Sequence, residues 1–133
     1  MKFFVHMKNA LADRPLTIDQ VDVDKKTLQR FVEGNVQPFL GDYVKKRENP
    51  LHVNVWCGSI KDSNPNFKNV DAVIAIELIE HVYPDVEMEF PYQIFEVIAP
   101  KIVVITTPNC EVNVLSKLVE GKLRHLDHKF EHT

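Results

Sequence analysis

The sequence predicts an α/β protein with a parallel sheet covered by helices on both faces, a three-layer core. The run "VDAVIAI" at residues 70–76 is almost wholly apolar, which is typical of a strand covered on both sides, and "KIVVITTP" at 101–108 reads as another buried strand. Helical stretches alternate with the strands, which favours parallel pairing through crossover connections. A length of 133 residues suits one domain with one core.

The first half of the chain supplies two strands and two helical segments. "LTIDQVDVD" (16–24) reads as a short strand that ends in acidic residues. "KKTLQRFVEG" (25–34) has helical apolar spacing, with Gly34 as its expected stop. "VQPFLGDYVKK" (36–46) is a second, uneven helical piece, and "LHVNVWC" (51–57) alternates as a strand does.

The second half adds two helices to its two apolar strands. "EMEFPYQIFEVIAP" (87–100) spaces its apolar residues as a helix does, and Pro91 is expected to be tolerable only near the first turn. "EVNVLSKLVEGK" (111–122) predicts a short amphipathic helix. The predicted order is therefore β-α-α-β-β-α-β-α.

Charge and composition exclude several classes of protein. A net charge of −3 gives no overall attraction for a polyanion, so any grip on nucleic acid must be local. Two cysteines do not make a disulfide framework, which predicts a reducing cytoplasm. No apolar run reaches the roughly 18 to 20 residues of a membrane span, and residues 1–15 resemble neither a signal peptide nor an anchor.

Polar residues follow the predicted strands, where parallel α/β sheets bind their ligands. One shared crevice is expected to contain Asp22, Ser59, Glu77 and the segment 107–109. Asp22 suits the ribose hydroxyls of a nucleotide-like cofactor, or equally a helix N-cap, for which Asp24 serves as well or better. Ser59 either contacts an adenine edge or belongs to a simple Gly-Ser turn.

The densest chemistry lies in "IELIEHV" (76–82). If a helix begins at the strand tip, Glu77, Glu80 and His81 share one face, and two close carboxylates need a cation or a proton between them. A divalent metal with His81 as nitrogen ligand satisfies this, whereas the alternative is a solvated helix start, where acidic residues are also favoured.

The C-terminal "RHLDHKFEHT" favours the metal interpretation. It offers His125, His128 and His132, and Asp127 is placed to orient a neighbouring imidazole. One histidine from this segment would complete a site of two glutamates and two histidines. The alternative is a polar, partly exposed tail.

These blocks resemble a known family. "IELIEHV", "IVVITTPNCEVNVL" and "RHLDHKFEHT" are similar to the signature blocks of the Hua-enhancer-type small RNA 2′-O-methyltransferases, which methylate the 3′ ends of piRNAs in animals. "VDVDKKTL", "PFLGDYVK" and "CGSI" match upstream blocks in the same order. The resemblance covers residues 16–133, and implies a Rossmann-like class I methyltransferase domain there, after a divergent segment at 1–15.

The resemblance implies a role for each matched residue. Mg2+ or Mn2+ would be bound by Glu77, Glu80, His81 and His128. Asp22 would hold the ribose of S-adenosylmethionine, and Ser59 would lie beside its adenine. Substrate contacts would fall to Pro108, Asn109 and Asn113.

The implied reaction is 2′-O-methylation of the 3′-terminal ribose of a small single-stranded RNA. The metal would chelate the vicinal 2′ and 3′ hydroxyls and lower the pKa of the attacking oxygen. An Argonaute or Piwi-type protein presenting the RNA is the implied partner, and the cytoplasm or its germ granules the implied location.

The sequence departs from the family in two places. The family has a strand and a glycine-rich turn before the Asp22 strand, yet the chain's four glycines all lie elsewhere: Gly34, Gly41, Gly58 and Gly121. The family also has tryptophan where His132 stands and then continues. An incomplete domain is therefore expected, and the alternative function is an inactive remnant that binds metal, RNA ends or a partner. A methyltransferase acting on small molecules or proteins shares the fold but has no use for such a metal site.

Overall fold

The computed structural model describes residues 2–40, 47–112 and 123–131. The chain forms two compact units, Met1–Ser59 and Ile60–Thr133. Each unit has its own buried apolar cluster and its own pair of parallel strands. The predicted α/β class with parallel strands is therefore confirmed, although the described strands occur as two pairs.

The first unit follows its predicted order after an additional N-terminal helix. Its elements are α1 (Lys2–Ala10), β1 (Leu16–Asp22), α2 (Lys25–Phe31), a π-helical turn (Val32–Val36), α3 (Gln37–Leu40) and β2 (Leu51–Cys57). β1 and β2 are parallel, with Leu16 opposite Leu51 and Asp22 opposite Cys57. The carboxyl ends of both strands therefore lie at the same edge.

Asp24, rather than Asp22, caps α2. Its carboxylate accepts the backbone N–H groups of Lys26 at 3.0 Å and Thr27 at 3.3 Å, which satisfies two donors at the helix start. The alternative in which Asp24 provides the cap is confirmed. The side chain of Asp22 accepts the Asp24 N–H, at 2.8 Å, through Oδ1.

The helical chain continues through Gly34, so the predicted stop there is wrong. The π-helical turn carries Val32 and Val36 onto the buried cluster of Ile18 and Phe31. Packing on both sides of the glycine outweighs its low helix propensity, which costs only about 1 kcal/mol.

The segment before residue 16 contributes to the first core. Phe4 of α1 is buried and packs edge-on against Phe31, with ring centroids 5.3 Å apart. The guanidinium of Arg47 donates to the backbone carbonyls of Lys8 at 2.7 Å and Leu11 at 2.5 Å. These bonds supply donors to a carbonyl in the last turn of α1 and to one in the turn that follows it.

The second unit contains both predicted apolar strands. Its elements are a 3-10 turn (Pro65–Phe67), β3 (Ala72–Ile76), a second 3-10 turn (Ile79–His81), α4 (Pro84–Tyr92), a π-helical turn (Gln93–Ile98) and β4 (Ile102–Thr106). β3 and β4 are parallel, with Ile76 opposite Thr106, so their carboxyl ends coincide. Both predicted strands are confirmed, but their predicted cover on both sides is not, since Ile76 and Ile102 are exposed.

Pro91 lies near the end of α4, so the expectation that it requires the first turn is wrong. The chain widens into a π-helical turn at Gln93, directly after the proline, which lacks a backbone N–H for the regular ladder. This turn places Ile94 and Ile98 on Phe90 in the second core.

The helix predicted at 111–122 lies mostly outside the described residues, as does Asn113. Among the helices of the described ranges, none is long and apolar enough to cross a membrane.

Candidate metal centre

The chain turns sharply where β3 ends. Glu77 has a left-handed backbone with φ of 50°, and its N–H donates to the Thr106 carbonyl at 2.9 Å. The Thr106 hydroxyl in turn donates to Oε1 of Glu77 at 3.1 Å. A 3-10 turn follows at Ile79–His81. The helix on which the shared face depended therefore does not begin at the strand tip, because Glu77 precedes the 3-10 turn that contains Glu80 and His81.

Glu80 is the most unusual residue of this turn. Its side chain is 0% exposed, and neither carboxylate oxygen has a hydrogen-bond partner among the described residues. A buried carboxylate without donors is strongly unfavourable unless a cation or a proton neutralises it. The site therefore has the electrostatic character of a cation-binding centre.

The C-terminal segment reaches the same turn. The Lys129 N–H donates to the Glu80 carbonyl at 2.7 Å, and the His128 N–H donates to the His125 carbonyl at 3.2 Å. These bonds bring the His128 ring to 4.8 Å from that of His81, between centroids. Potential ligand atoms of Glu80, His81 and His128 all lie within 4.8 Å of one another.

A pocket of about 360 Å³ opens over this group. Glu80, His81 and His128 line it together with Glu77, Pro108, Arg124 and His125. Glu77 borders the pocket but is not among the three residues whose ligand atoms converge. Its predicted role as a fourth ligand stays a prediction.

The donor set fits a divalent metal ion. One carboxylate and two imidazoles are ligands for Mn2+ and for other first-row divalent metals, and Mg2+ prefers the oxygen ligands. The two orphaned oxygens of Glu80 are the observation that favours a metal over a simple polar cluster.

The tail contains a carboxylate partner of His128 that the sequence interpretation missed. Asp127, expected to orient an imidazole, lies 3.6 Å from Nδ1 of His125 through Oδ2. Nδ1 of His128 lies instead 2.6 Å from Oε1 of Glu131. The i, i+3 spacing of His128 and Glu131 was the available signal.

The three predicted substrate residues have different positions relative to the pocket. Pro108 is buried and lines the pocket. Asn109 is exposed, and its side-chain oxygen accepts the Glu111 N–H at 2.8 Å in a local turn. Asn113 lies beyond the described range, so its role stays a prediction.

The predicted cofactor residues belong to the first unit. The Gly58 N–H donates to the Asp22 carbonyl at 3.1 Å, which places Ser59 just past the carboxyl ends of β1 and β2. Asp22 and Ser59 are both half-buried. Their contacts with a cofactor, and the single crevice shared with Glu77, stay predictions.

Comparison with known proteins identifies relatives that share one name. A small RNA 2′-O-methyltransferase of Drosophila melanogaster is 42% identical over 135 residues, which cover 98% of this chain. The chain is a homologue of the small RNA 2′-O-methyltransferases. It spans 34% of the length of that relative. No protein-family model matches it.

Solved structures of small RNA methyltransferases share this fold. The small RNA methyltransferase HEN1 superposes with a TM-score of 0.74 at 30% identity, over 94% of this chain and 16% of that one. The methyltransferase domain of a bacterial Hen1 protein superposes with a TM-score of 0.64 at 32% identity, over 88% of this chain and 55% of the other.

Proposed function

We propose that this chain functions in 2′-O-methylation of the 3′-terminal ribose of small single-stranded RNA. Its similarity to the small RNA 2′-O-methyltransferases supports the reaction class. The observation that carries the proposal is the buried, unpartnered carboxylate of Glu80 beside His81 and His128. Such a group is difficult to explain in a chain with no cation to bind.

Glu80, His81 and His128 would hold Mg2+ or Mn2+, with Glu77 as an additional oxygen ligand from the wall of the pocket. When bound, this cation supplies Lewis acidity and positive charge for the ribose hydroxyls. Burial of Glu80 and His128 keeps the ligands away from bulk water, which strengthens their electrostatic interactions. Pro108 gives the pocket a rigid apolar wall.

Asp22 and Ser59 would bind S-adenosylmethionine, which supplies the methyl group. A carboxylate at the end of β1 accepts two hydrogen bonds from vicinal ribose hydroxyls, one for each oxygen. Asp24 already caps α2, so Asp22 is not needed for that purpose. Ser59 offers a hydroxyl near the adenine.

The RNA would be held locally at its 3′ end, because a net charge of −3 provides no extended basic surface. A Piwi-type Argonaute protein is the proposed partner that presents this end, and the cytoplasm, including germ granules, is the proposed location. The piRNA class is the proposed substrate.

Methyl transfer from labelled S-adenosylmethionine to a synthetic small RNA tests the proposal. We expect Mn2+-dependent labelling of RNA with a free 2′,3′-diol and none with a 3′-phosphate or a 2′-deoxy terminus. In a full-length version of the protein, Glu80→Ala should abolish transfer and leave cofactor affinity nearly unchanged, whereas the exposed Glu96→Ala should behave as the parent. Equal loss of methylation and cofactor binding in Glu80→Ala would contradict a metal role.

Binding of the RNA end provides the second readout. Metal-dependent affinity for the diol end without methyl transfer would favour the alternative, a binding module that has lost catalysis. An RNA affinity that depends neither on metal nor on the chemistry of the 3′ terminus would refute both the methyltransferase and the binding-module function.

A further inference from the structure

Glu131 carries a buried carboxylate to which the proposed function assigns no role. Its side chain is 1% exposed, and Oε1 lies 2.6 Å from Nδ1 of His128, whose side chain is 6% exposed. Carboxylates rarely lie this deep unless they are paired. The pair therefore belongs to the interior of the second unit, next to the metal-binding group.

The contact determines which nitrogen of His128 can bind a cation. An ionised carboxylate only accepts hydrogen bonds, so Nδ1 of His128 must carry the hydrogen. In a neutral imidazole the lone pair is then on Nε2. A carboxylate on the far nitrogen also makes the ring a stronger metal ligand and restricts its rotation.

A second hydrogen bond fixes the carboxylate itself. Oε1 of Glu131 also accepts the backbone N–H of Arg124, at 2.5 Å. The same oxygen therefore closes the segment between residues 124 and 131 and holds the His128 ring. Asp127 differs from Glu131 both in exposure and in the histidine that it contacts. Its side chain is 78% exposed, and it contacts His125 rather than His128.

We propose that Glu131 is a positioning residue that holds His128 in the Nδ1–H tautomer and so presents Nε2 to the metal. The inference rests on the proposed metal-dependent function and extends it to a residue that contacts no metal. Glu131 thereby controls metal affinity through His128.

Metal binding provides the first test. Mn2+ titration of the 133-residue chain, followed by electron paramagnetic resonance, should give Glu131→Gln an affinity roughly 10- to 100-fold below that of the parent. Glutamine keeps the size of the side chain but lacks the charge. Asp127→Asn is the matched control, and its affinity should stay close to that of the parent.

The histidine tautomer provides a test without metal. Long-range 1H–15N spectra of the metal-free chain should show His128 with its hydrogen on Nδ1 in the parent and in Asp127→Asn. In Glu131→Ala the signal should shift toward a mixture of tautomers. A role confined to closing the segment would lower thermal stability without changing either readout.

The outcomes separate the inference from the function on which it rests. A parent that binds Mn2+ as tightly as Glu131→Gln overturns the role of Glu131 and leaves the metal site intact. A parent that binds no Mn2+ overturns the proposed metal-dependent function. An unchanged His128 tautomer in Glu131→Ala overturns the positioning role whatever the metal result.

Discussion

Replacing Glu80 with leucine tests whether the buried carboxylate serves a cation. Leucine has a similar volume and no polar atoms, so Glu80→Leu should raise the free energy of unfolding in metal-free buffer. Two carboxylate oxygens that find no hydrogen-bond partner in the described part of the chain cost about 1–3 kcal/mol each. After allowance for imperfect repacking, we expect a gain of about 2 kcal/mol, within the range seen when buried charges are replaced by apolar residues.

Added metal should reverse this order of stability. At a free Mn2+ concentration 100 times its Kd, the parent gains about 2.7 kcal/mol from binding, and Glu80→Leu should gain nothing. With roughly 4 °C in Tm for each kcal/mol in a domain of this size, the variant should melt about 8 °C above the parent in EDTA. In saturating Mn2+ it should melt below the parent.

Glu96→Leu is the matched control, since Glu96 is exposed in the same unit. Its free energy of unfolding should stay within about 0.5 kcal/mol of the parent, and it should respond fully to Mn2+. The reasoning is refuted if Glu80→Leu is less stable than the parent in EDTA and Mn2+ does not raise the Tm of the parent. The carboxylate of Glu80 would then have a structural role.

Four further predictions concern the first unit and the cofactor. The hydrogen bond from the Thr27 hydroxyl lowers the pKa of Asp24 below 3.8, and those from backbone N–H groups lower it further. The capping carboxylate therefore stabilises the fold fully above pH 3.8, and this stabilisation is lost as pH falls through the lower pKa of the folded state. Melting curves should therefore show Asp24→Ala less stable than the parent at pH 7, with the difference vanishing in strong acid; a constant difference would contradict capping. In a full-length version of the protein, Asp22→Ala should instead leave the melting curve nearly unchanged and weaken S-adenosylmethionine binding. Arg47→Ala should cost about 2 kcal/mol in urea unfolding, because it removes charged hydrogen bonds to the backbone carbonyls of Lys8 and Leu11. The exposed Arg30→Ala should cost almost nothing. Calorimetric titration of the 133-residue chain should show weak or no S-adenosylmethionine binding, because residues 1–15, which precede the Asp22 strand, contain no glycine for a glycine-rich turn; tight stoichiometric binding would contradict this.

The strands and the chemistry of the site could be predicted from the sequence. β2, β3 and β4 are short segments with strong local patterns, and such patterns depend on side chains only a few residues apart. The cap by Asp24 could also be predicted from local sequence, because the N–H groups that it caps lie within three residues of it. Glu80, His81 and His128 were identified from the chemistry of their side chains and from resemblance to a family.

The geometry of the site was decided by the tertiary structure. The left-handed turn at Glu77 is stabilised by Thr106 of the neighbouring strand, so no local pattern predicts it. The helix continues through Gly34 because Val32 and Val36 pack on a core built from distant residues.

The approach of the C-terminal segment to Glu80 depends on a backbone hydrogen bond from Lys129, between residues far apart in the chain. Residue types determined which groups could bind a cation. Only the fold determined that Glu80 would be buried without a hydrogen-bond partner among the described residues, and that Glu131 would hold the far side of His128. Burial and long-range contact are properties of the packed chain, because they arise from all the segments that surround a residue and not from its neighbours in sequence.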